Sequence, residues 1–194
     1  MRAFTFLALI GVSGLALAAD LNRGIELYQQ GKYADAESEL RQVVQDDPQN
    51  GRAYLYLGLA LIEQEKAADA ATFLQKGNEL VANGESRLAM ARLYVAQKEF
   101  DKAEEAVKEA EGEDLEYVRG LVHLNKKRYE EAARDFESFL EKKPDHAYAH
   151  YHAGLAYNGM QRPDKMLTHF EMFLKLKPDA PEAKKVRAVI RTGR

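Results

Sequence analysis

Cysteine is absent from the 194 residues, which excludes a disulfide framework, a thiol nucleophile and lipid attachment through cysteine. Its absence is compatible with an exported protein, because an oxidising compartment requires no disulfide. Catalytic patterns are missing too. The chain holds no H-E-x-x-H, no G-x-S-x-G and no G-x-x-x-x-G-K-S/T, so the common hydrolase and nucleotide-binding constellations are excluded. It reads as non-catalytic, with no cofactor expected. A surplus of one charge is also lacking: 28 Lys and Arg stand against 31 Asp and Glu, a net of −3. That balance gives no overall attraction to nucleic acid.

What is present is a repeat. Gly24, Gly58, Ala91, Gly120 and Gly154 are each followed twelve residues later by Ala36, Ala70, Ala103, Ala132 and Met166, and both series step by 34, 33, 29 and 34. A period shared by two independent series indicates one supersecondary unit copied five times. Around these positions apolar residues recur every three or four places, as in Tyr54, Leu57, Gly58, Leu61, then Ala70 and Leu74, the spacing of helices with one buried face. Short polar breaks, Gln30-Gly31-Lys32, Glu63 to Lys66 and Asn125 to Arg128, leave no room for anything but antiparallel neighbours. Each copy is therefore a helical hairpin, with small residues where the paired axes approach. Three copies end in proline, Pro48, Pro144 and Pro178, which cannot continue a helix.

These residues resemble the tetratricopeptide repeat (TPR) family, whose pattern is W-x2-L-G-x2-Y, then A-x3-F, then P over 34 residues. Copy two matches best in its first helix, Tyr54-x2-Leu57-Gly58, and copy four in its second, Ala132-x3-Phe136 with Pro144. Copy five has Gly154, Tyr157, Phe170, Phe173 and Pro178. Tryptophan is absent throughout, its place taken by Tyr54 and His150; Met166 replaces a small residue, and copy two ends in Asn83-Gly84 rather than proline. Five residues are missing between copies three and four, around Glu111-Gly112-Glu113-Asp114, which predicts a kink or a shortened helix there. The fold the resemblance implies is all-α: a right-handed α-solenoid of five hairpins over about 20–50, 51–83, 84–112, 113–146 and 147–180. Residues 181–194 read as a capping helix, with Ala183, Val186, Val189 and Ile190 on its covered side.

The first residues carry an address. Met1-Arg2 is positive, Ala3 to Ala19 is free of charge and mostly apolar, and Ala16-Leu17-Ala18 has the small-x-small form of a cleavage site before Asp20. Residues 1–19 are read as a secretory signal, the alternative being a retained membrane anchor. The expected location is periplasmic or secreted, with no membrane association after cleavage. The short signal and the lack of an N-x-S/T acceptor site suggest a bacterial source.

Histidines and basic residues invite comparison with metal and anion sites. His146 and His150 stand one helical turn apart near Asp145 and His152, but no second pair of ligands is evident. The reading adopted has Asp145 capping a helix start, the histidines half-exposed and no metal assigned. His123 takes the place of the family's interhelix tyrosine and is read as core. Lys184, Lys185, Arg187, Arg191 and Arg194 against Glu182 are read as the solvated side of the cap.

In proteins similar to this one the first helix of each hairpin lines a groove that holds a peptide or a partner's helix. Carried over residue by residue, the resemblance implies a groove of Tyr28, Arg52, Leu55, Leu59, Ile62, Arg92, Tyr117, Leu121, Tyr148, Tyr151, Leu155 and Asn158. Arg52 and Arg92 would clamp a ligand carboxylate. The implied partner is another protein, with no nucleic acid. Alternatives are neighbouring helices packing these residues together, or a second protomer covering them in a homo-oligomer. Two other functions stay open at this point: a structural subunit of an envelope assembly docking by its convex side and cap, and a metal-binding accessory protein.

Overall fold

The computed structural model describes residues 20–192; the expected signal, residues 1–19, lies outside the described residues. Among them are eleven helices and no strand. Five antiparallel pairs follow one another: α1 (Leu21–Gln29) with α2 (Tyr33–Asp46), α3 (Gly51–Glu63) with α4 (Ala67–Val81), and α5 (Gly84–Ala96) with α6 (Phe100–Val107). Then come α7 (Leu115–Asn125) with α8 (Tyr129–Lys142), α9 (Ala147–Gly159) with α10 (Pro163–Leu176), and the single α11 (Ala183–Thr192). The chain is an α-solenoid. No helix among the described residues is long and apolar enough to cross a membrane.

Each pair is closed by the same small-to-large contact. A Cβ added to Gly24 would lie 2.6 Å from Leu40, at Gly58 2.4 Å from Leu74, at Gly120 2.8 Å from Phe136 and at Gly154 2.4 Å from Phe170. The partner always follows by sixteen residues. In copy three, alanine replaces glycine at Ala91, and its counterpart is the smaller Val107; both belong to one buried cluster. Side-chain volume is thus roughly conserved across the seam, as close packing requires.

Hairpin turns share a second register. Gly31, Glu65, Lys98, Lys127 and Gln161 all have positive φ, between 56° and 74°, and so repeat the steps of 34, 33, 29 and 34. Only the first is glycine; the other four hold a left-handed conformation that costs roughly 1–2 kcal/mol each for an L-residue, which the packing of the two helices must offset.

Curvature follows from which helices touch. The first helices form a continuous row, α1 on α3, α3 on α5, α5 on α7 and α7 on α9, whereas no two second helices among the described residues pack together. A stack with one row closed up and the other splayed bends toward the closed row. The first helices consequently face inward.

The missing five residues fall in copy three's second helix. α6 has 8 residues where α2, α8 and α10 have 14, and the chain from Lys108 to Asp114 replaces the lost turns. Here the apolar link between the two large cores, one over α2–α5 and one over α8–α11, is the small cluster of Leu88, Ala91, Val107, Ala110 and Val118. On α11, Ala183 and Val186 are buried, and Val189 and Ile190 pack on the C-terminal core. One capping assignment is corrected. His146, not Asp145, caps α9, its Nδ1 accepting the Ala149 amide at 3.0 Å, because the helix begins one residue later than the Asp145 assignment requires.

Candidate partner-binding groove

Inward-facing side chains of α1, α3, α5, α7 and the start of α9, together with Leu176 and Lys177, line a groove of about 1610 Å³. Its floor is aromatic and aliphatic: Tyr28, Tyr56, Leu59, Ile62, Tyr117 and Tyr148. Sites for small molecules run to roughly 300–1,000 Å³, and this space is larger.

Of the twelve residues expected there, eight line it: Tyr28, Arg52, Leu59, Ile62, Arg92, Tyr117, Leu121 and Tyr148. Four do not. Leu55 is 1% exposed and lies over Gly77, where an added Cβ would be 2.7 Å from its Cδ2; it belongs to the hairpin seam. On α3 the groove stripe is Arg52, Tyr56, Leu59 and Glu63, so the first step is four residues rather than three. Tyr151 turns into the last hairpin, its ring 5.1 Å from Phe173 and 6.2 Å from Phe170. Leu155 packs on the same core, and Asn158 is exposed beyond the end of the groove. The row ends early because only the first turn of α9 reaches the cavity.

At the groove's centre lies an ionic knot that the apolar pattern does not reveal. Arg92 on α5 donates to the Tyr28 hydroxyl at 2.9 Å and to Asp114 at 3.4 Å, and is bonded to Glu63. Lys143 continues it, 2.9 Å from Asp114 and 3.3 Å from Glu113. Burial opposes charge on Arg92, but Tyr28, Glu63 and Asp114 more than compensate and hold its guanidinium above the ordinary arginine range. Burial also pushes the Tyr28 phenol up to about 12 and raises Tyr117. Arg52 lies 3.5 Å from Glu85 and over the Tyr56 ring. The expected carboxylate clamp is therefore corrected: both arginines already hold carboxylates of the chain itself. Glu63 and Asp114 gave no sequence signal, since isolated acids at a helix end and in a loop read as solvated.

The histidines separate. His146 caps α9 and stands against Tyr117, while His150 Nδ1 faces His169 Nδ1 at 3.0 Å and its Nε2 faces the Pro144 carbonyl at 2.9 Å. They do not share a ligand position, and among the described residues no group of three or more His, Asp or Glu is placed to hold a metal. His123 is partly buried with its Nδ1 2.7 Å from Asp135 Oδ2, a polar contact rather than apolar packing. His152 lies among Phe136, Tyr117, Tyr148 and Tyr151, with the Tyr117 hydroxyl 3.2 Å from Nδ1.

Two of these rings predict an acid-side loss of stability. Burial, assisted by His146, lowers His152 to about 4; burial, assisted by His150 and Lys165, lowers His169 to about 4. Unfolded histidines take up protons near pH 6.5, so below that the unfolded chain binds more protons than the folded one. The stabilisation is complete above about 6.5 and is lost as pH falls toward about 4. Glu37 and Glu104, held by lysine and arginine partners at about 2 instead of the ordinary 4.5, lose their contribution only as pH falls from about 4.5 toward about 2, below this window. Urea midpoints should therefore drop between pH 7 and pH 5; an equal or higher midpoint at pH 5 contradicts the assignment.

The tetratricopeptide repeat sequence pattern matches residues 21–85, 88–133 and 117–181. No curated protein matches the chain. Among solved structures it is similar to TTC0263, a thermophilic TPR protein of Thermus thermophilus, with TM-score 0.66 and 21% identity over 89% of this chain and 96% of that one. It is also similar to pilF of Pseudomonas aeruginosa, with TM-score 0.64 and 15% identity over 89% and 86%. A third is YrrB, described as a TPR protein with an unusual peptide-binding site, with TM-score 0.54 and 21% identity over 87% and 90%. At these identities the likeness shows the fold alone.

Proposed function

Since the chain belongs to the tetratricopeptide repeat family, we propose that it is a non-catalytic, exported scaffold holding an extended or helical segment of another protein in its inner groove. Proteins of this fold are in general interaction scaffolds. One observation carries the finer reading: Tyr28, Tyr56, Tyr117 and Tyr148 line one groove from the first helices of four hairpins, each packing part of its ring on the hairpin cores and leaving the rest to the groove. Tyrosine gives a large contact area at low entropic cost and ends in a hydroxyl that tolerates water. YrrB, by its description, has a peptide-binding site; the same class of ligand is proposed for this chain. Export rests on residues 1–19, where one basic residue precedes a charge-free stretch and a small-x-small site.

Site-specific photo-cross-linking in the living cell tests this. A photoreactive residue at Tyr56 or at Tyr148 should capture one and the same polypeptide, recovered in the osmotic-shock fraction. Adding Ile62→Glu should reduce that product about tenfold while leaving the helical circular dichroism unchanged. Products formed only from convex or cap positions such as Glu79 or Lys184 would overturn the groove assignment.

A further inference from the structure

We propose that the segment held in this groove is cationic, a stretch in which lysine or arginine side chains are interspersed with apolar ones. This rests on the groove reading above and adds the charge of its occupant.

The groove is lined by six carboxylates, Glu63, Glu85, Glu111, Glu113, Asp114 and Asp145, against the four cations Arg52, Arg92, Lys143 and Lys177, a net of −2. The cations are already engaged. Arg92 has three oxygen partners, Lys143 has Asp114 and Glu113, and Arg52 has Glu85. Lys177 sits 5.3 Å from the centre of the Tyr148 ring. An anionic segment would have to displace these contacts and would meet the surplus acids.

Negative charge, by contrast, is left over. Glu111 and Asp145 are exposed at the groove wall, and neither forms an ion pair among the described residues. The position of Glu111 follows from the five-residue deletion. The chain replacing the lost turns of α6 runs beside the start of α5, where the Glu111 amide donates to the Gly84 carbonyl at 3.0 Å, and it brings Glu111, Glu113 and Asp114 into the lining. A regular second helix would have carried this stretch on the outer side.

The tyrosines point the same way. Two groove rings already carry a cation on one face, Arg52 on Tyr56 at 5.5 Å and Lys177 on Tyr148 at 5.3 Å. An aromatic floor under a carboxylate rim suits a side chain with an apolar stem and a cationic head. Exposed ion pairs contribute little energy each; tyrosine contact supplies affinity, and the rim selects the sign of charge.

Selection of a phage-displayed pool of random peptides on the full chain tests the inference. Selected peptides should be enriched about threefold in Lys and Arg over Asp and Glu relative to the input, and the skew should fade in high salt. Glu111→Gln with Asp145→Asn should remove most of the skew while still selecting peptides; neutralising Glu79 and Glu130 on outer helices should not. Peptides without a basic skew, or an equal effect from the outer pair, would overturn the charge of the occupant and leave the groove reading standing. Failure to select any peptide would remove both.

Discussion

Phe136→Ala should destabilise the protein by about 3–5 kcal/mol, the largest loss expected from a single truncation. The ring is fully buried and rests on Gly120, where an added Cβ would be 2.8 Å from its Cε1. Its other faces meet Tyr117 at 5.9 Å and His152 at 5.7 Å. Closing the void would require α7 and α8 to move together, and they already stand as close as a glycine seam permits. Tyr117 and His152 are fixed to each other by a hydrogen bond and cannot both turn into the space. The void therefore persists, and with it the cavity cost. Denaturant unfolding followed by helical circular dichroism measures the loss. Because neighbouring repeats stabilise one another pairwise, hydrogen exchange should show the fourth hairpin opening first. A loss under about 1 kcal/mol would mean that the seam collapses onto the alanine.

This seam explains what the sequence disclosed and what it withheld. The small-residue series was visible because glycine and alanine are required at fixed intervals, and it located every hairpin. The large partner sixteen residues on was legible where the phenylalanine of the A-x3-F pattern stands, at Phe136 and Phe170, and blurred at Leu40, Leu74 and Val107, residues alike in volume demand but not in identity. Five missing residues announced the short α6. Where the replacement chain travels was not legible, because a short acidic loop carries no periodicity, and it is this loop that supplies half of the groove's carboxylates. Leu55 shows the other limit. A helix face read from spacing alone carries an error of one residue in rotation, and only the opening made by Gly77 decides that Leu55 goes inward to the seam and Tyr56 to the groove.

Arg92→Ala is expected to cost about 2–3 kcal/mol, far more than removal of an exposed cation such as Lys102. Arg92 is 18% exposed, and it neutralises Glu63 at 28% and Asp114 at 33%. Truncation would leave two partly buried carboxylates facing each other without a counter-charge, with Lys143 alone to serve Asp114. Water reaches both acids, which is why the cost falls below the roughly 3–5 kcal/mol of a fully buried pair. The knot also fixes shape. It ties Tyr28 on α1, Glu63 on α3, Arg92 on α5 and Asp114 before α7, and so joins four hairpins directly along the inner row. Without it the inner row loses the ties that hold it closed, and small-angle scattering should show a larger radius of gyration. The combination Arg92→Met, Glu63→Gln and Asp114→Asn removes the charges together and should restore stability to within about 1 kcal/mol of the starting protein. If the single variant were as stable as the parent and scattered identically, the carboxylates would be hydrating freely. Curvature would then be set by helix packing alone.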